Sequence, residues 1–170
     1  MGVQYNLDEV LRMAERIEEN AADFYSRAAS LHSGTADVEF LRKLARMELE
    51  HRQSFSTMRG QLSPEMRQIP EAYPYLKATL FLYLVADTLG REGTLSQAQP
   101  LTNEDTLEDL IRKGIGFEER TILFYLGLKD AVPTNRGRNE VDAIIEMEKD
   151  HLAELADKLQ EITKTRTSVA

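Results

Sequence analysis

Apolar residues recur along this chain at intervals of three and four, while strict alternation is almost absent, so the pattern predicts helices and no sheet. A first helix is expected from Asn6, where Asn6 and Glu9 have capping-box spacing, to about His32, just ahead of Ser33 and Gly34. A second is expected from about Thr35 to Gly60, stopping before Ser63 and Pro64. A third runs from Thr102 or Asn103 to about Asp130, before Pro133, and a fourth from about Asn139 to Thr163, followed by a polar tail expected to fray. Two helical hairpins, about 6–62 and 102–163, are thereby joined by a crossover, about 63–101, that contains Pro64, Pro70, Pro74 and Pro100. A structureless loop of that length does not suit a compact domain, and the apolar content of Pro74 to Leu89 predicts a short extra helix within it. The expected fold is all-α: one domain over residues 1–170, a four-helix bundle with a long central crossover.

Placing residues on these helices exposes a repeat. The core-forming stripe of the first helix reads Leu11, Ala14, Glu18, Ala21, Tyr25, Ala28, and one hundred residues on the third reads Ile111, Gly114, Glu118, Thr121, Tyr125, Leu128. The second gives Leu41, Leu44, Glu48, His51, Phe55, Met58, Leu62, and the fourth gives Val141, Ile144, Glu148, His151, Leu155 and then Ile162. Each half therefore supplies one Glu from its first helix and one Glu-x-x-His pair from its second, all on faces whose neighbours are apolar. This registration suggests a doubled helical hairpin.

Chemistry gives the polar residues a purpose. Residues three apart lie one above the other, about 4.5 Å along a helix axis, so Glu48 and His51 can reach a common centre, as can Glu148 and His151. Four carboxylates facing one interior would repel one another and lose hydration, at about several kcal/mol per ion without compensation. Two divalent cations cancel four negative charges. Carboxylate and imidazole without thiolate suit iron or manganese, and zinc can occupy the same site. Glu119 competes with Glu118, but one residue is a rotation of about 100° off the stripe, so Glu118 is preferred. By the same phase Glu15, Glu19, Glu50, Glu146 and Asp150 face solvent or support the site from behind. Met47 and Met147 are read as packing, and His32 as a surface or capping residue.

Composition removes other classes. With 42% hydrophobic and 29% charged residues, the chain can bury a sizeable core. A net charge of −8 and a pI near 5.0 argue against nucleic acid or an anionic membrane as partner. There is no cysteine, which excludes disulfides, thiolate-bound metal centres and thiol nucleophiles. The apolar stretch 78–86 is much shorter than the roughly 20 residues that span a bilayer, and is read instead as a buried or oligomer-interface segment, a homodimer being favoured. The N-terminus lacks a basic region followed by an apolar run, so the expected location is the cytoplasm.

Through "RIEENAADFY" with "MELEH" and "GFEERTILFY" with "MEKDH", the chain resembles the ferritin-like superfamily and, within it, the rubrerythrin-like di-iron carboxylate proteins. The resemblance implies two Fe ions held by Glu18, Glu48, His51, Glu118, Glu148 and His151, with Tyr25 and Tyr125 hydrogen-bonding near the carboxylates. It also implies an oxidoreductase of peroxidase or ferroxidase type, coupling Fe(II) oxidation to reduction of peroxide or dioxygen. Rubrerythrins proper carry a cysteine-ligated rubredoxin centre; without cysteine, an external donor protein or Fe(II) itself must supply electrons here. They also carry an extra Glu three residues after the third-helix ligand, where this chain has Thr121. The symmetric six-residue set is closer to that of bacterioferritins, which keeps iron storage as an alternative beside a non-catalytic metal-binding or assembly module.

Overall fold

The computed structural model describes residues 6–32, 37–67, 101–129, 132 and 135–169. Helix α1 spans Leu7–Leu31, α2 Val38–Gly60, α3 Leu107–Lys129 and α4 Asn135–Val169, with a 3-10 turn at Pro64–Arg67. No strand occurs among the described residues. The expected extra helix within Pro74–Leu89 and the expected helix start at Thr35 lie outside them.

Local chemistry explains where the helices begin. At α1 the capping box forms as expected: the Glu9 amide donates to Asn6 Oδ1 at 2.9 Å, and the Asn6 amide to Glu9 Oε2 at 3.3 Å. Helix α3 starts at Leu107, later than the expected Thr102 or Asn103. Thr102 is committed to a separate turn, its amide donating to Asp105 Oδ2 at 2.8 Å. Thr106 caps the helix instead: the Asp109 amide donates to Thr106 Oγ1 at 3.2 Å, and the Thr106 amide to Asp109 Oδ2 at 2.9 Å.

Helix α4 is longer at both ends than the expected Asn139 to Thr163. At its start, Arg138 donates to Asn135 Oδ1 at 2.5 Å and to the Val132 carbonyl at 2.9 Å, tying the first turn to the preceding connection. At its end the helix continues to Val169 instead of fraying. No Gly or Pro interrupts residues 163–169, and the Thr163 and Thr165 hydroxyls bond back to the Leu159 and Glu161 carbonyls.

The helices enclose two apolar cores, each drawing on all four. One joins Leu11, Ala14 and Ile17 of α1 to Phe55 of α2, Phe117, Tyr125 and Leu128 of α3, and Val141, Ile144 and Ile145 of α4. The other joins Phe24, Tyr25 and Ala28 of α1 to Leu41 and Leu44 of α2, Leu107, Leu110 and Ile111 of α3, and Leu155 of α4. The first half of α1 thus packs with the second halves of α2 and α3 and the first half of α4. Helices α1 and α4 run one way and α2 and α3 the other. Because α2 and α3 are parallel, the end of α2 and the start of α3 lie at opposite ends of the bundle, about 35 Å apart for a helix of this length. That is the physical need for a long crossover.

Ion pairs bind neighbouring helices at the rim. Arg59 of α2 makes a two-pronged contact with Glu15 of α1 at 2.6 and 3.1 Å, and Arg67 reaches Asp8 at 3.1 Å. Lys129 of α3 meets Asp142 of α4 at 2.6 Å, and Lys43 of α2 pairs with Glu154 of α4.

Candidate metal centre

Between the two apolar cores lies a polar layer. Glu18, Glu48, Glu118, Glu148 and His151 are each 2% exposed or less, while His51 is half-buried. Each sits near mid-helix on a stripe whose next turns, above and below, are core residues. Local folding therefore fixes both their depth and their direction: to bury Leu44 and Phe55, α2 must also bury Glu48.

Two triads converge. Glu48, His51 and His151 offer one donor atom each within 4.8 Å of one another, and so do Glu118, Glu148 and His151. His151 is common to both, its Nδ1 lying 3.4 Å from Glu48 Oε1, 3.8 Å from Glu148 Oε2 and 3.9 Å from Glu118 Oε1. The two imidazoles stack, with centroids 4.5 Å apart and planes inclined by 7°. Glu18 belongs to neither triad; its carboxylate lies against those of Glu48 and Glu148. Glu119 is exposed, as its phase requires, and Glu50, Glu146 and Asp150 are exposed as well. Glu15 pairs with Arg59 away from the layer. His32 is the C-cap of α1, its amide donating to the Ala28 carbonyl, and Met147 packs against the first core.

The two tyrosines are inequivalent. Tyr25 donates across the bundle to Glu118 Oε1 at 3.5 Å, whereas the Tyr125 hydroxyl, fully buried, has no hydrogen-bond partner among the described residues. Gly114 explains how Tyr25 reaches α3. A Cβ at Gly114 would stand 2.6 Å from the Tyr25 hydroxyl, so only glycine leaves room for it. The matching position on α1 is Ala14. Sequence reading placed Gly114 on the stripe but gave it no role; its signal was the Gly/Ala mismatch between otherwise registered halves.

Electrostatics follow from burial. Burial, then the Glu148 and Glu48 carboxylates, hold Glu18 well above the usual carboxylate range; burial, then Glu48 and Glu148, do the same to Glu118. Burial pushes Glu48 up to about 8 and also raises Glu148. The imidazoles move the opposite way. Burial, reinforced by the neighbouring His51, pushes His151 down to about 4, and burial lowers His51. Burial and the facing carboxylates, Glu118 for Tyr25 and Glu18 for Tyr125, raise both phenols. The layer by itself favours neutral acids beside neutral imidazoles.

Such a layer fits metal ions by its unmet bonding capacity. Among the described residues, Glu18 Oε1, both Glu48 oxygens, Glu118 Oε2, Glu148 Oε1, His51 Nδ1 and both His151 nitrogens are buried without a hydrogen-bond partner. Each such atom costs about 1–3 kcal/mol. Divalent cations would satisfy them together, drawing the acids to their ionised form and using the imidazoles in the neutral form that burial already favours.

No family model matches the chain, and no curated protein matches it. A crystal structure does: a Thermotoga maritima protein described, provisionally, as a ferritin-like diiron-carboxylate protein. It superposes with a TM-score of 0.60 at 21% identity, over 95% of this chain and 99% of that one. The fold is therefore ferritin-like, an all-α four-helix bundle. Among the described residues no helix is long and apolar enough to cross a membrane.

Proposed function

We propose that this protein is a rubrerythrin-like di-iron carboxylate oxidoreductase that couples Fe(II) oxidation to reduction of peroxide or dioxygen. The observation that carries the reading is the buried layer of four carboxylates and two imidazoles with unpartnered donor atoms. Glu18, Glu48, His51, Glu118, Glu148 and His151 would hold two Fe ions, which when bound supply the electrons for reducing the oxidant. The apolar cores on either side limit water, and the Glu-x-x-His spacing sets the donors before any ligand arrives. Tyr25 steadies Glu118 through its hydroxyl. With no cysteine in the chain, reducing equivalents come from Fe(II) itself or an external donor protein.

Because both apolar cores draw on all four helices, we read residues 1–170 as one domain. Exposed Leu123 and Leu126 on α3 favour a homo-oligomer. Anaerobic loading with Fe(II), followed by a pulse of peroxide or dioxygen, tests the activity. Two Fe per chain and oxidation faster than free Fe(II) are expected. Loading without accelerated oxidation would leave a metal-binding or assembly module, and a large iron-filled particle by light scattering would point to storage.

A further inference from the structure

A groove of about 530 Å³ runs along the outside of the first hairpin, where Ser26, Ala29 and Ser30 of α1 face Ala45 and Leu49 of α2. Small side chains keep it open: its α1 wall carries nothing longer than serine, and Ala29 and Ala45 are buried at its floor. Arg42 and Arg46, one turn apart on α2, complete the lining. Arg42 pairs with Glu39 at 2.7 Å, and Arg46 makes no ion pair among the described residues. Two cations thus edge a recess on a chain whose net charge is −8.

The second hairpin carries the converse of this groove. One hundred residues on, Ser26 is replaced by Leu126, Arg42 by Asp142 and Arg46 by Glu146. Leu126 is 49% exposed, and Leu123, one turn earlier, is 68% exposed. Asp142 meets Lys129 across the α3–α4 seam at 2.6 Å, and Glu146 meets Lys149 at 2.7 Å; a carboxylate can accept from a further cation as well. The two surfaces point in opposite directions. Helices α2 and α4 meet through the stacked His51 and His151, and α1 reaches α3 through Tyr25 and Glu118, so the hairpins lie side by side with their outer surfaces turned apart.

We propose that the α1–α2 groove of one copy receives the Leu123 and Leu126 face of a second copy, in a head-to-tail contact between unlike surfaces. This rests on the homo-oligomer reading and is independent of the metal. The two leucines enter a recess lined by alanine and serine and meet Leu49 there, which removes exposed apolar surface from water on both sides. Arg42 and Arg46 come against Asp142 and Glu146. Pairing two grooves instead would crowd arginines together and leave the leucines in water. After one contact each pair of copies still has a groove and a leucine face to offer, so association continues until a ring closes or a row extends.

Two variants of the whole chain, followed by sedimentation velocity, test the contact. Ser26→Trp with Arg46→Glu fills the groove and reverses a charge; Leu123→Asp with Leu126→Asp removes the leucines. All four positions are exposed, so both proteins are expected to melt as wild type does. Wild type associates beyond the dimer, while each variant alone is monomeric, its contact weakened at least about tenfold. An equal mixture of the two then forms dimers and nothing larger, because one intact groove and one intact leucine face remain. The milder Ser26→Leu and Leu126→Ser weaken association in the same sense. A variant that dimerises alone pairs like surfaces and overturns the proposal. So do variants of wild-type size, a mixture that stays monomeric, or a wild type that stops at the dimer; each leaves the homo-oligomer reading standing. Wild-type protein that is monomeric throughout overturns that reading and the contact together.

Discussion

Replacing Gly114 by Ala places one methyl group against the Tyr25 hydroxyl at 2.6 Å, with Tyr25 Cε1 and Leu155 Cδ1 at 3.4 Å. The last two are ordinary contacts; the first is a collision. Tyr25 is 1% exposed and packs edge-on against Phe24, so the ring cannot swing away freely. Overpacking a buried site costs about 1–3 kcal/mol. Displacing the hydroxyl also weakens its bond to Glu118, already long at 3.5 Å and worth about 0.5 kcal/mol. Against this, Ala gains about 1 kcal/mol over Gly in a helix interior. The net expectation is destabilisation by about 1–2 kcal/mol, or roughly 2–8 °C in melting temperature for a chain of this size.

The collision has a partner that can be removed. In a Tyr25→Phe background the oxygen is gone, and Gly114→Ala should become neutral or stabilising, giving a coupling energy of about 2 kcal/mol between the two sites. Gly127→Ala is the control: it lies on the same helix, nothing stands within 4 Å of its Cβ, and it should stabilise by about 1 kcal/mol. Urea denaturation of the four Gly114/Tyr25 variants in chelator measures the cycle. Additive effects, or a Gly114→Ala protein as stable as Gly127→Ala, would refute the account of Gly114 as the opening that admits Tyr25.

Two further outcomes are expected. Glu48 titrates in the folded protein at about 8, above its ordinary 4.5, so its contribution to metal-free stability is complete below pH 4.5 and lost as pH rises through 8. Metal-free Glu48→Gln should therefore melt less steeply with pH between about 5 and 8 than wild type; parallel curves would disprove the assignment. Asn6→Ala removes the α1 capping bond and should cost about 1 kcal/mol in the same urea assay, with Fe binding unaffected. A simultaneous loss of metal would show that the cap reaches the centre.

Much of this architecture was legible because helix period and core burial act on the same residues. The stripe that predicts Leu44 and Phe55 in the core necessarily carries Glu48 there too, and the i, i+3 spacing does the rest. Boundaries were less legible where short polar residues had two options. Thr102 and Thr106 each precede an acidic residue by three, and only the packing of Leu107 and Leu110 decides which one caps α3. The tail after Thr163 reads as polar, yet polarity without Gly or Pro does not end a helix. The meeting of His151 with both triads, and Tyr25 with Glu118, depends on how hairpins approach one another, which no single-helix pattern contains.

The mismatches between the halves, Gly114 against Ala14 and Thr121 against Ala21, bear on what joining two hairpins in one chain makes available. Two identical hairpins paired about a twofold axis must change both sides of their shared interior whenever one gene changes. A fused chain is free of that constraint: one side can open space for a phenol while the other keeps a methyl, and one side can hold a hydroxyl that the other lacks. The crossover is thus more than a tether of sufficient length. It is what allows a twofold frame to build its two sides differently.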